Sequence, residues 1–268
     1  MTGTYEIKKI PHFLIYDKII QSRFFYFCTR NNKISINFLK QFNMKKISVI
    51  ALVGVGLLLA SCDKGKTAET AATAQEQAVA ESKGETLMVD TAGSVVNWKA
   101  FHKGGMAPRW GTLTVKSGDL SVDGGQVSAG NFVIDMSSIK VDPASVTEKD
   151  KKPAELETHL KSADFFDVAK NPTSDFKITS VTDLKEAPKD AVAGANKTVS
   201  GNLTLSGKTM NVTFPAKVDV AENSAAIQAK FTVNRADWGL KFGTSEADPA
   251  EWMISKDIEI AIDVKANK

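Results

Sequence analysis

The 268-residue chain is short of the side chains on which catalysis most often rests: it has two cysteines, Cys28 and Cys62, and three histidines. Cysteines so few and so far apart exclude a disulfide framework and a thiolate zinc site. From residue 62 onward only His102 and His159 remain, in separate segments without a Cys partner, so neither a metal site nor an activated nucleophile finds its usual groups. Acidic residues are plentiful, but no spacing singles out one pair as acid and base. No enzyme is expected, and neither a cofactor nor a metal.

A basic excess is missing as well. Nine of the 34 basic and two of the 31 acidic residues precede Cys62, which leaves 25 basic against 29 acidic from there on, a net charge of −4 in place of the +3 of the whole chain. That excludes the counterion-displacing face of a nucleic-acid binder. The stretch 201–209, GNLTLSGKT, ends like a phosphate-binding loop. However, Gly201 and Gly207 enclose five residues where the loop needs four, and no helix N-terminus follows. It reads instead as a hairpin turning at Gly207 and Lys208, the glycine supplying a positive φ.

No apolar run reaches the roughly 20 residues that a membrane-spanning helix needs. The run 47–60 has fourteen, preceded by Lys45 and Lys46 and followed by Leu59-Ala60-Ser61-Cys62. This is the order of an export signal, and the last four residues resemble the lipobox of bacterial lipoproteins, in which the cysteine takes a diacylglycerol and becomes the new N-terminus. A buried core helix is the competing reading, and the run lacks the amphipathic period for it. Residues 1–43 hold all three tyrosines, six of the fourteen phenylalanines and no tryptophan, so translation is expected to start at Met44, with 44–61 the signal. Residues 62–84, the lipidated cysteine followed by DKGKTAETAATAQEQAVAESKG, read as a polar, flexible tether spanning roughly 25 Å.

The remaining domain, 85–268, alternates with period two. Val199, Leu203 and Leu205 share a face with Gly201, while Ser200, Asn202 and Thr204 take the other; Val212, Phe214, Ala216, Val218 and Val220 repeat the pattern. Ile227, Ala229, Phe231 and Val233 form a third row, and Ile258, Ile260, Ile262 and Val264 a fourth. These are antiparallel strands with one dry and one wet face. TLMVD, SVVNWKAF, WGTLTVKSG, SAGNFVIDM and DFKITSV add more, and the single helical signal is 153–166, with Pro153 in its first turn and Leu156, Leu160 and Ala163 as its stripe. The expectation is an all-β closed barrel or sandwich with one short helix. The polar outer face excludes a transmembrane barrel.

Three blocks carry a family resemblance: HLKSADFFDVAKNPTSDF (159–176), VSGNLTLSGKTMNVTFP (199–215) and FTVNRADWG (231–239). With VDTAGSVVNWKAFHKGG (89–105) they resemble the YceI-like family from end to end of the domain. The resemblance implies an antiparallel lipocalin-like barrel of about eight strands around an elongated apolar tube, in which family members hold isoprenoid chains or other long amphiphiles. It also implies export to the periplasm. His102 stands where the family often has a histidine, whereas MAPRWGTL occupies a region where another is common.

From this follow the expected site residues: an apolar lining of Trp98, Phe132, Ile134, Phe176, Leu203, Leu205, Phe214, Phe231 and Val233, and headgroup contacts from His102 and Arg235. For Arg235 a structural alternative is stacking on Trp238 or pairing with an acid. A hollow tube and a barrel filled by its own side chains are both compatible with the mixture of small and large inward residues. The first gives a lipid-anchored binding protein in the cell envelope, its partners an isoprenoid or fatty chain and the inner or outer membrane holding Cys62. The second gives an envelope scaffold or adhesin working through loops such as 140–152.

Overall fold

The computed structural model describes residues 70–247, 249 and 252–268. The extension, the signal and Cys62 lie outside the described residues. Ten strands occur: β1 (Ala72–Ala74), β2 (Glu85–Val89), β3 (Val95–His102), β4 (Arg109–Asp123), β5 (Gln126–Val141), β6 (Thr173–Asp183), β7 (Lys197–Leu205), β8 (Lys208–Ala221), β9 (Ser224–Asn234) and β10 (Ile254–Asn267). Among the described residues one α-helix, α1 (Pro153–Lys161), falls between β5 and β6.

From β3 to β10 each strand pairs antiparallel with the next, and β10 returns to pair with β3, so eight strands close a barrel. β2 continues the place of β3: it too lies between β4 and β10, further along both. Closure removes the sheet edges that an open antiparallel sheet would expose. Inward rows such as Val212, Phe214, Ala216 and Val218 are buried, as the alternation requires. The β7–β8 turn is at Ser206 and Gly207, one residue earlier than expected; both have positive φ, 49° and 76°, as a two-residue hairpin turn demands.

β5 departs from simple alternation. Opposite β4 its register jumps between Asp135 and Lys140, and Ser138 fills the gap by donating to the Asp135 carbonyl while accepting from the Thr114 N–H. The bulge changes parity, so Phe132, Ile134 and Met136 face inward before it and Ile139 and Val141 are buried after it.

Residues 70–84 differ from the free tether that composition suggested. They run as a belt across the outer wall. β8 stops pairing with β9 at Ala216, beside Pro215, which has no N–H for a ladder, and β1 fills the seam that opens there. Ala72 lies opposite Thr213 of β8, and the Ala71 N–H donates to the Thr232 carbonyl of β9 at 2.7 Å. The belt then crosses β7, where the Asn202 side chain both accepts from and donates to the Gln77 backbone. It crosses β6, where the Ala80 N–H donates to the Ile178 carbonyl beside a bulge, and it reaches Ser128 of β5 at Lys83. Small Ala and Thr side chains let it lie flat. Asn202, Asn211 and Thr232 point outward and are nonetheless buried, because the belt covers them.

α1 covers one end of the barrel. Pro153 begins it, the Glu155 carboxylate accepts from the Lys152 N–H, and Leu160 is its buried residue. Glu157 ties it to β5 by accepting from the Val141 N–H at 3.0 Å, with Lys140 alongside. That backbone hydrogen bond holds the Glu157 carboxyl below its ordinary value of 4.5, opposed by desolvation and aided by Lys140. A carboxyl lowered on folding stabilises fully above its unfolded pKa and loses that contribution as pH falls through the folded value. Protection of the α1 amides, measured against their intrinsic exchange rate at each pH, is therefore expected to fall below pH 4.5 before that of the strands does, and Glu157→Gln should flatten this dependence. Equal acid response of helix and strands would remove Glu157 as its cause.

Candidate functional site

The barrel interior is partly empty. A chamber of about 170 Å³ is walled by Val96 and Trp98 of β3, Phe132, Ile134 and Met136 of β5, Phe176 and Ile178 of β6, and inward residues of β7 to β10. It is slightly larger than an engineered apolar cavity of about 150 Å³ that stays dry and admits benzene. The wall is neither packed solid nor a wide tube. Four phenylalanines make an arc around it: Phe132 to Phe176 at 6.3 Å between centroids, Phe176 to Phe214 at 5.8 Å, and Phe214 to Phe231 stacked at 4.0 Å with 6° between planes. Phe176 finds its place because β7 has Gly201 beneath it, where a Cβ would come within 2.2 Å of the ring.

The polar atoms around the chamber are turned into the wall. Ser174 donates to the Thr204 carbonyl at 2.8 Å, the Trp98 indole N–H to the Lys140 carbonyl at 3.2 Å and the Trp238 indole N–H to the Leu203 carbonyl at 3.0 Å. An interior of this kind attracts a hydrocarbon group and offers a polar molecule nothing in exchange for its hydration.

A second space, about 260 Å³, adjoins the chamber at the α1 end and shares Trp98, Ala100, Leu160 and Phe165 with it. This vestibule is of mixed character: His102, Arg109, Lys151, Lys152, Glu155 and His159 stand around it beside Phe101, Val146 and Leu156. Arg109 comes from the MAPRWGTL block, pairs with Glu148 and donates to the Ser145 carbonyl at 2.9 Å, which joins the β3–β4 loop to the segment after β5. His159 packs edge-on to Phe242 at 4.7 Å. The site thus has an apolar depth and a polar, partly cationic mouth. Among the described residues no group of three or more His, Cys, Asp or Glu side chains could hold a metal ion.

All nine residues expected in the apolar lining, Trp98, Phe132, Ile134, Phe176, Leu203, Leu205, Phe214, Phe231 and Val233, stand on the chamber wall. His102 stands at the vestibule. Arg235 does not, and its expected headgroup role is corrected. It is 0% exposed and donates to four backbone carbonyls, those of Ser255 at 3.0 Å, Leu240 at 2.9 Å, Phe242 at 2.7 Å and Ile254 at 3.2 Å. Its aromatic neighbour is Phe165, 5.3 Å from ring centroid to guanidinium, and not Trp238. Burial pushes its pKa down to about 10, so it remains a cation at neutral pH, fully engaged in holding the loop before β10. Sequence reasoning missed Phe165 and Phe166, which reach the chamber from the irregular turn after α1, and the Lys151, Lys152 and Glu155 side of the vestibule. The apolar FF pair next to the helical stripe was the only signal for the first. Nothing in spacing marked the second.

A closed antiparallel barrel of eight strands, capped at one end by a helix and hollow enough for an apolar group, is a lipocalin-like binding architecture. Residues 87–266 match the model of the YceI-like domain, and the chain belongs to that family. It is similar to a UPF0312 protein of Pseudomonas paraeruginosa, 30% identical over an alignment of 146 residues that covers 51% of this chain and 68% of the relative. A UPF0312 protein of Pectobacterium atrosepticum is 33% identical over 146 residues, with the same shares of 51% and 68%. Among solved structures, Burkholderia cenocepacia BcnA is similar with 19% identity and a TM-score of 0.48, covering 67% of this chain and 99% of that one.

Proposed function

We propose that this protein is a non-enzymatic binding protein of the cell envelope, lipid-anchored through Cys62, that takes the hydrocarbon part of an isoprenoid or other long-chain amphiphile into its barrel and keeps the polar head in the vestibule. The observation that carries this reading is the chamber: apolar throughout, its bordering polar groups bonded into the wall, and continuous with a polar mouth. Each buried CH₂ contributes about 0.8 kcal/mol before the entropy of binding is subtracted. The chamber as it stands holds a group of about the size of one isoprene unit or a little more. A longer chain continues through the vestibule or requires the Phe side chains to swing.

Native mass spectrometry of protein taken from its own membranes, followed by organic extraction, tests the reading. The expected result is a copurifying lipid in stoichiometric amount that leaves with solvent. Repeated empty spectra from gently extracted protein would retire the carrier role and favour an envelope scaffold.

A further inference from the structure

Among the described residues five large apolar side chains are exposed: Val79, Met88, Met106, Phe242 and Trp252. Three of these belong to one place. Met106 lies in the β3–β4 loop, and Phe242 and Trp252 lie in the loop between β9 and β10. The two loops are tied edge to edge by the Lys103 N–H donating to the Met253 carbonyl at 2.7 Å, while the Ile254 N–H donates to the Gly243 carbonyl at 2.8 Å. Together they border the vestibule, whose lining includes His102, Ala107 and Ile254. Phe242 is held in place: Arg235 grips its carbonyl, and its ring leans on His159. Around the mouth Met106 is 49%, Phe242 44% and Trp252 69% exposed.

We infer that this rim is a membrane-docking face: Met106, Phe242 and Trp252 insert into the headgroup region of a bilayer and set the mouth of the barrel against the lipid. Tryptophan with an apolar body and a polar N–H is the side chain best suited to that depth. Charge is not the driver: Lys103, Arg109, Lys151, Lys152 and Lys241 about the mouth are matched in number by Glu148, Glu155, Glu246, Asp248 and Glu251, and Arg109 and Lys151 both pair with Glu148. Two observations select a lipid surface as the occupant. The chamber shares Trp98, Ala100, Leu160 and Phe165 with the vestibule that this rim borders, so an amphiphile taking that route from a bilayer passes through the docked face without crossing water. The belt supplies the second. It brings the chain onto the barrel with Thr70 opposite Thr232, two residues, or about 7 Å, from the mouth end of β9 at Asn234. The far hairpin at Ser224 is about 27 Å away by the same measure. Eight residue-to-residue steps lead from Thr70 to Cys62 and reach at most about 28 Å, so an anchor at Cys62 meets a membrane at the mouth with slack and at the far hairpin only when taut.

This inference rests on the carrier reading for its purpose, but the test separates the two. The full chain is reconstituted in vesicles of phosphatidylethanolamine and phosphatidylglycerol, with and without brominated acyl chains, as the native protein and as Trp252→Phe, and the difference in emission isolates Trp252. The expected result is loss of the Trp252 emission in brominated vesicles, protection from aqueous iodide, and little change on adding salt. Quenching of Trp252 by iodide and not by bromine would overturn the docking, leaving a protein partner as the occupant of the rim. Lipid extraction from the same samples decides the other question: empty barrels with Trp252 in lipid retire the carrier reading alone, and loaded barrels with Trp252 in water retire the docking alone. A second variant, Met106→Asp with Trp252→Asp, is expected to keep its cargo and its melting temperature while passing cargo to acceptor vesicles several-fold more slowly; an unchanged rate would count against the docking.

Discussion

Arg235→Gln is expected to lower the unfolding free energy by about 3–5 kcal/mol, read as a fall in the denaturant midpoint at unchanged slope. The guanidinium is enclosed, and its donors satisfy carbonyls at residues 240, 242, 254 and 255, two stretches of backbone that are also tied by the Ile254 N–H donating to the Gly243 carbonyl. Glutamine reaches one or two of them and strands the rest in the interior. Arg235→Lys should fare little better, since a point-like ammonium cannot serve carbonyls spread around a planar fork. Because Arg235 stands outside both the chamber and the vestibule, the lipid content of the variant at low temperature should match the native protein. A normal melt with lost ligand would restore the headgroup role that its position in NRADWG suggests. The loop that Arg235 holds also carries Phe242 and Trp252, so loosening it should raise hydrogen exchange at 240–247 ahead of the barrel strands.

What could be read from the sequence was whatever obeys a local period. β7, β8, β9 and the second half of β10 alternate without interruption, and their inward rows, Leu203 and Leu205 or Phe214 and Phe231, stand where period two puts them. The bulge in β5 breaks that logic: Ile139 is inward only because residues 136–139 change parity, and the cause is the Ser138 hydrogen bonds, which no window of hydropathy registers. The belt was illegible for a related reason. Its bonds go to backbone groups and to Asn202, so it needs no apolar stripe, and its Ala- and Thr-rich composition matches that of a free linker. Arg235 failed differently. A lone arginine beside a tryptophan invites a stacking or headgroup role, whereas its partners are main-chain carbonyls as far as 20 residues on, invisible until the loop is folded. The vestibule is the extreme case, since α1, the β3–β4 loop and the start of β10 meet there from three distant parts of the chain.

The second large effect concerns the stacked rings. In a hollow tube much of each ring would face void, and Phe214→Ala or Phe231→Ala would cost little. The geometry argues for the full cost of a buried phenylalanine, about 3–5 kcal/mol in the delipidated protein. The two rings are 2% and 5% exposed and lie face to face at 4.0 Å, and Phe214 also meets Phe176. Each therefore touches protein over most of its surface and borders the chamber with the remainder. Removing one adds its volume to the existing 170 Å³ and takes away the stacking partner of the other, so the double variant should lose less than the sum of the two. The same enlargement should shift the extracted lipids toward longer or bulkier chains, because the missing ring no longer narrows the chamber. Denaturant unfolding of delipidated protein, paired with the lipid profile of each variant, measures both effects. A loss below about 1.5 kcal/mol for both single variants would mean that in solution the rings stand apart and face ligand space, and the chamber would then have to be wider than the stack allows.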